Sequence, residues 1–279
     1  MKKLLTKIIP LAYGQYFNFY TLFAPKKAAQ KAFDLFCTVR KGKVQPQQID
    51  YLNEAKHSVE LIEGLRIQTY HWKGKKDTVL LVHGWESNTF RWRNLIKKLR
   101  EANFNIIAFD APAHGHSTGK YLHVPLYEKT VRFMVEKFNP KLVVGHSVGG
   151  MTLMYNEYKN SNPGVEKMVI IGAPSEFHEI MEHYQDLLRF SDRVMKILDD
   201  YVHNRFGFRI RDFSTSRFAE SNTKKGLLFH DRFDAITPYH ASVQVNKKWN
   251  GSQLVTTEGL GHSMHQEDVN NQIISFLEA

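Results

Sequence analysis

The sequence predicts an α/β protein: a mostly parallel sheet covered by helices on both faces and opened by an antiparallel hairpin. Three observations carry this. Short apolar, often β-branched runs (TVLLVHG, NIIAFDAP, KLVVGHS, KMVIIGAP, GLLFHD and QLVTTEG) alternate with longer stretches of helical character. Runs of this kind are what strands buried on both faces require, and alternation with helices implies parallel pairing. Ahead of them, HSVEL and LRIQTYHW alternate in polarity around Glu63-Gly64, the pattern of a hairpin from about His57 to Trp72. Finally, GHSVGG places a serine between glycines where a strand gives way to a helix.

Taken in order, residues 1–56 form a basic, aromatic arm of helical character, and residues 57–279 the main domain. The hairpin is followed by TVLLV and a Trp- and Lys-bearing helix to Glu101, then NIIAF and a helix from about Leu126 to Phe138. KLVVGHS leads into the helix GGMTLMYNEYK, and KMVII follows. Pro174 to Lys225 then interrupts the rhythm. Two helices fit there, about Ser175–Phe190 and Ser191–Arg205, the second stopped by Gly207. Such an insertion is expected to form a small helical lid.

The composition narrows the function. With 279 residues, 42% hydrophobic and 24% charged, the chain has the make-up of a folded domain, which excludes disorder and a multi-span membrane protein. Cys37 is the single cysteine, so no internal disulfide forms and a cytoplasmic location is expected. The net charge is +10, yet residues 1–43 hold nine basic residues (Lys2, Lys3, Lys7, Lys26, Lys27, Lys31, Arg40, Lys41 and Lys43) against Asp34 alone. The body is therefore nearly neutral. With no zinc-finger spacing or RNA-recognition signature, nucleic acid is not an expected partner.

Ile8 to Pro25 carries no charge, but Pro10, Gly14, Gln15 and Asn18 dilute it too much for a spanning helix, and no small-residue cleavage site follows. Its aromatics (Tyr13, Tyr16, Phe17, Phe19, Tyr20 and Phe23), flanked by lysines, suit a peripheral contact with the inner membrane surface. The competing reading packs them on the folded domain or a subunit partner. The oligomeric state stays open.

The chemistry concentrates in GHSVGG. Gly145 and Gly149 flank Ser147 because a serine on a sharp strand-to-helix turn leaves no room for neighbouring side chains, and its Oγ must project above the sheet. A serine hydroxyl is a weak nucleophile, so a histidine base and an orienting carboxylate are required. HDRFDAITP supplies Asp234, with Asp231 as runner-up, and GLGHSMHQED supplies His262, with His265 as the weaker rival. The chain order Ser147, Asp234, His262 is the one that accompanies this motif. The N–H of Val148, after the serine, and that of Trp85, in LLVHGW, are the expected oxyanion donors. His83, and likewise His114, His116 and Ser117 of DAPAHGHS, read as structural support with no chemical role.

No cofactor or metal is expected. His178 and His183 in HEIMEH are five apart, roughly 140° around a helix, and cannot share a ligand face. GHSTGK is one residue too short between its glycines for a phosphate loop, and no dinucleotide-binding glycine pattern follows the first parallel strand.

HGW, FDAPAHGHS, GHSVGG, HDRFDAITP and GLGH, in this order and spacing, resemble the α/β-hydrolase family, and in particular its esterase and lysophospholipase-like members. The likeness spans roughly residues 57–279. It implies an eight-stranded, mostly parallel sheet, a Ser-His-Asp triad, no cofactor and a cap after the sixth strand, where about 174–225 falls. The arm lies outside it. The expected activity is hydrolysis of a small acyl ester, including lipid-like ones, through an acyl-enzyme. Acyl transfer by the same triad and a non-catalytic binding protein on the same scaffold are the alternatives, and an intact triad argues against the latter.

Overall fold

The computed structural model describes residues 2–279, with side chains from Ile8 onward, so the expected contributions of the Lys2, Lys3 and Lys7 side chains lie outside the described residues. In chain order the elements are α1 (Lys2–Phe23), α2 (Pro25–Cys37), α3 (Ile49–Asn53), β1 (Lys56–Ile62), β2 (Leu65–Trp72), β3 (Lys76–Val82), α4 (Arg93–Glu101), β4 (Phe104–Phe109) and α5 (Val124–Phe138). They continue with β5 (Leu142–His146), α6 (Val148–Asn160), β6 (Lys167–Ile171), α7 (Phe177–Leu188), α8 (Asp192–Phe206), α9 (Thr215–Ala219), β7 (Lys225–Asp231), α10 (His240–Lys248), β8 (Ser252–Thr257) and α11 (Glu267–Glu278). The chain divides into two compact units, Val39–Ser175 with Thr215–Ala279, and Met1–Thr38 with Glu176–Ser214.

The first of these holds one eight-stranded sheet in the order β1-β2-β4-β3-β5-β6-β7-β8. β1 and β2 pair antiparallel, closed by Glu63 and Gly64 at φ 50° and 75°, the two left-handed positions a tight hairpin turn requires. β2 joins β4 antiparallel, and every later pairing is parallel.

Strand periodicity explains how continuous apolar runs fill two cores. Val79, Leu81, Ile106, Ala108, Val144, Val169 and Phe229 point to one face, where Leu95, Ile96 and Leu99 of α4 and Val269, Ile273 and Leu277 of α11 cover them. Their neighbours Leu80, Val82, Ile107, Phe109, Val143, Ile170 and Leu228 point to the other, against Tyr127, Val131 and Met134 of α5 and Leu153 and Met154 of α6. β8, at the edge, is only partly buried.

Residues 1–56, expected as one arm, are divided between the units. From Val39 onward the backbone is tied to the sheet-bearing unit: the Val39 N–H donates to Lys120 O at 3.2 Å, and the Arg40 and Lys41 N–H groups donate to Glu86 Oε1 at 3.1 and 3.2 Å. The insertion likewise ends earlier than residue 225. The Thr215 N–H donates to Ser175 O at 2.9 Å, and Phe218 of α9 packs on Tyr155 and Tyr158 of α6.

The second unit is helical. α1 packs against α2, α7 and α8, and α2 against α8. Gly14 marks the tightest crossing, since a Cβ there would stand 1.8 Å from Leu188 O at the end of α7. Phe17 and Thr21 are buried on the same face of α1, and Asn18 Oδ1 accepts the Ser191 N–H at 2.7 Å just ahead of α8. From α2, Phe33 meets Tyr201 and Phe206, Phe36 meets Tyr184, and the Tyr184 hydroxyl donates to Ala32 O at 3.0 Å. Gly207, at φ 81°, stops α8 at the residue expected from the sequence. Among the described residues no helix is long and apolar enough to cross a membrane.

Candidate active site

Ser147 stands between β5 and α6 at φ 54° and ψ −126°, a conformation that costs an L-residue about 1–3 kcal/mol and persists only where its surroundings enforce it. They do so through close packing. A Cβ on Gly149 would meet Val82 O at 2.3 Å, and one on Gly145 would meet Gly150 Cα at 2.7 Å. The Ser147 N–H is also held by Ile171 O at 2.8 Å. Side chains on either glycine would push the turn off β3 or off its own helix.

Asp234 and His262, which come from different loops, are brought together with 2.7 Å between Asp234 Oδ2 and His262 Nδ1. The carboxylate is fully buried and the imidazole 18% exposed. Asp234 Oδ1 accepts the N–H groups of Ile236 and Thr237 at 2.8 and 3.1 Å, and Oδ2 accepts the Thr237 hydroxyl at 2.9 Å. Burial opposes ionisation here, but hydrogen bonds from His230, His262 and those two backbone N–H groups outweigh it and hold the carboxyl well below the usual range. An ionised carboxylate only accepts, so His262 Nδ1 carries a proton, and in the neutral imidazole this tautomer leaves the lone pair on Nε2.

His146, directly before Ser147, ties this pair to the elbow. Its Nε2–H donates to His262 O at 2.9 Å, and the two rings lie 4.8 Å apart. Burial, then the Arg91 guanidinium, keeps His146 neutral. Arg91 in turn donates to Ser263 O at 2.8 Å. The Ser147 hydroxyl itself makes no hydrogen bond to a described residue and so remains uncommitted.

Of the two expected oxyanion donors, Val148 is the first residue of α6, where an N–H has no intrahelical acceptor and the helix dipole favours negative charge. Trp85 follows Gly84, whose Cβ would lie 2.9 Å from Ser147 Cβ, so the loop after β3 passes directly beside the serine. The next N–H, that of Glu86, is taken by His114 Nε2 at 2.9 Å.

The rival residues have other duties. Asp231 accepts the Phe233 N–H, the Thr257 hydroxyl and the Leu260 N–H at 3.0, 2.9 and 2.8 Å, so it splices two loops without touching His262. His265 is exposed and engages its surroundings through its carbonyl, which accepts from Asn94 and Asn270. No cluster suited to a metal occurs among the described residues.

Three positions were not foreseen. Thr237 donates or accepts at four atoms: Gly172 O (3.0 Å), Asp234 Oδ2 (2.9 Å), His262 Nδ1 (3.2 Å) and His230 Nε2 (3.4 Å). His230, wholly buried, donates from Nε2 to Thr237 O at 3.0 Å and shares a hydrogen bond between Nδ1 and the Ser242 hydroxyl at 2.6 Å. Thr237 and His230 sit behind Asp234, and His146 sits behind His262.

His83 and His114 are structural, as expected. His83 Nε2 accepts the Ala111 N–H at 2.9 Å, and burial lowers its pKa to about 4. Burial, then neighbouring His83, lowers that of His114 to about 3. Both must take up protons on unfolding in acid but not in the folded state, so their contribution to stability is complete above the ordinary value of 6.5 and declines as pH falls from there toward 4 and 3. The melting temperature is accordingly expected to drop steadily between pH 7 and 5 in a calorimetric series; a flat profile would contradict the neutral, buried assignment.

The comparisons with known proteins agree with this architecture. The alpha/beta hydrolase fold family matches over residues 77–196, and the TAP-like protein family over residues 211–279. The chain belongs to the α/β-hydrolase family. Among its relatives is the pimeloyl-[acyl-carrier protein] methyl ester esterase of Vibrio atlanticus, 29% identical over 39% of this chain and 41% of that protein. The match thus spans less than half of the esterase. The uncharacterized protein YqkD of Bacillus subtilis is 22% identical over 95% of this chain and 92% of its own length. Among solved structures, Est1E from Butyrivibrio proteoclasticus, seen with ferulic acid bound, superposes with a TM-score of 0.68 at 20% identity, covering 79% of this chain and 98% of that one.

Proposed function

We propose that this protein is a serine hydrolase that cleaves an ester or related acyl bond through an acyl-enzyme. Ser147 attacks the acyl carbon while His262 Nε2 takes its proton, and His262 then returns that proton to the departing alcohol. Asp234 holds the imidazole in the required tautomer and balances its charge. The N–H groups of Val148 and Trp85 receive the oxyanion. The carrying observation is the buried Asp234 carboxyl at 2.7 Å from His262, whose carbonyl is hydrogen-bonded and whose ring is packed by the residue next to the strained serine. The esterase named among the relatives supports the same bond type. An ester panel of graded acyl length, run beside fluorophosphonate labelling, tests nucleophile and substrate class together. A chain that is neither labelled nor active on any ester would overturn the reading.

The role given to Thr237 is checked separately. Its hydroxyl bridges the carboxylate, the imidazole and the end of β6, and a hydrogen bond to a charged group contributes about 1.5–3 kcal/mol. Thr237→Val should therefore lower kcat about 10- to 100-fold with little change in KM, and Thr237→Ser should restore it. Equal losses in both variants would assign the effect to the methyl group.

A further inference from the structure

The helical unit leaves one face of α1 uncovered. Gly14, Phe17 and Thr21 fill the packed side, whereas Ile8, Ile9, Tyr16, Phe19, Leu22 and Phe23 on the rest of its circumference are exposed, Phe19 by 63% and Phe23 by 71%. The packing and membrane readings of the arm therefore concern different faces of the same helix. No charged residue interrupts Ile8–Phe23, and large apolar side chains clustered in this way are unusual on a solvated surface. Lysines bracket the patch: Lys2, Lys3 and Lys7 precede it in sequence, and the exposed Lys26 and Lys27 follow it. Lys31 lies 5.8 and 5.5 Å from the Tyr16 and Tyr20 ring centres, at the border of the apolar face.

We infer that this face of α1 docks on an anionic phospholipid surface, the helix lying in the interface with its aromatics among the acyl boundary and its terminal lysines at the phosphates. Charge selects this occupant. α1 carries no acidic residue, so a second copy laid against it in either direction would bring lysine clusters together, whereas a leaflet of phosphates complements both ends at once. The helix is also too polar to cross, which leaves the interfacial orientation.

The inference is independent of the chemistry at Ser147, and its test uses the full chain, because deleting α1 would strip Phe17 and Gly14 from the helical unit. Co-sedimentation is measured with phosphatidylglycerol–phosphatidylcholine vesicles and with phosphatidylcholine alone, at low and high salt. The protein is expected to bind the anionic vesicles, less at high salt, and the neutral ones weakly. Phe19→Ser with Phe23→Ser, and separately Lys26→Glu with Lys27→Glu, should each lower partitioning by about tenfold or more. Both pairs are exposed, so the thermal transition should not move. Ser147→Ala should bind like the parent. Absence of binding to any vesicle, or undiminished binding by both double variants, would overturn the inference. A dimer that binds no vesicle and falls to monomer on Phe19→Ser with Phe23→Ser would do so in favour of a second copy.

Discussion

Ser147→Ala is expected to lose ester turnover by roughly 10⁶-fold and all fluorophosphonate labelling, with its melting temperature close to that of the parent. The size follows from the covalent step: without Oγ there is no atom to carry the acyl group, and only the oxyanion donors and binding remain to assist water. Stability is expected to hold because the hydroxyl makes no hydrogen bond to a described residue, so its removal strands no partner. Alanine tolerates φ 54° no better and no worse than serine, and the glycines that enforce the turn are untouched. Labelling of the alanine variant at another serine would give the nucleophile's place to that residue.

Ser147, Asp234 and His262 stand out in the sequence as candidates because each lies in a short contiguous pattern: glycines around a strained turn, an acid at a loop after a strand, a histidine within a glycine turn. Alternating apolar runs likewise announced the strands, since each strand fills both cores with its own neighbours. Thr237, His230 and His146 left no comparable trace. Their importance comes from which side chains the fold brings within 3–4 Å, and a threonine three residues after an aspartate looks like any turn. The fate of the arm was hidden for the same reason. Gly14 meets Leu188 and Phe33 meets Tyr201 across more than 160 residues of chain, and no local periodicity records such a pairing. What periodicity did hold, read after the fact on α1, is that a short strip of Gly14, Phe17 and Thr21 is packed while the apolar residues around it are in excess of any core they serve.

The second large effect separates the two candidate acids. Asp234→Asn should lower kcat by about 10⁴-fold while leaving the fold intact, because the amide is forced into the wrong orientation. Two N–H groups, from Ile236 and Thr237, point at the Oδ1 position and will retain the amide oxygen there. The NH₂ then occupies the Oδ2 position and faces His262 Nδ1, so that nitrogen must accept. The imidazole proton moves to Nε2, where a lone pair is needed to take the Ser147 proton. Asp231→Asn meets a different situation. Its carboxylate serves the Phe233 and Leu260 N–H groups and the Thr257 hydroxyl, and an amide can keep only part of that set. The expected result is a loss of about 1–3 kcal/mol in unfolding free energy with most of the turnover retained. Steady-state kinetics and denaturant titrations on the two variants distinguish these outcomes. If Asp231→Asn proves the catalytic casualty and Asp234→Asn the destabilised one, the roles assigned to the two carboxylates must be exchanged.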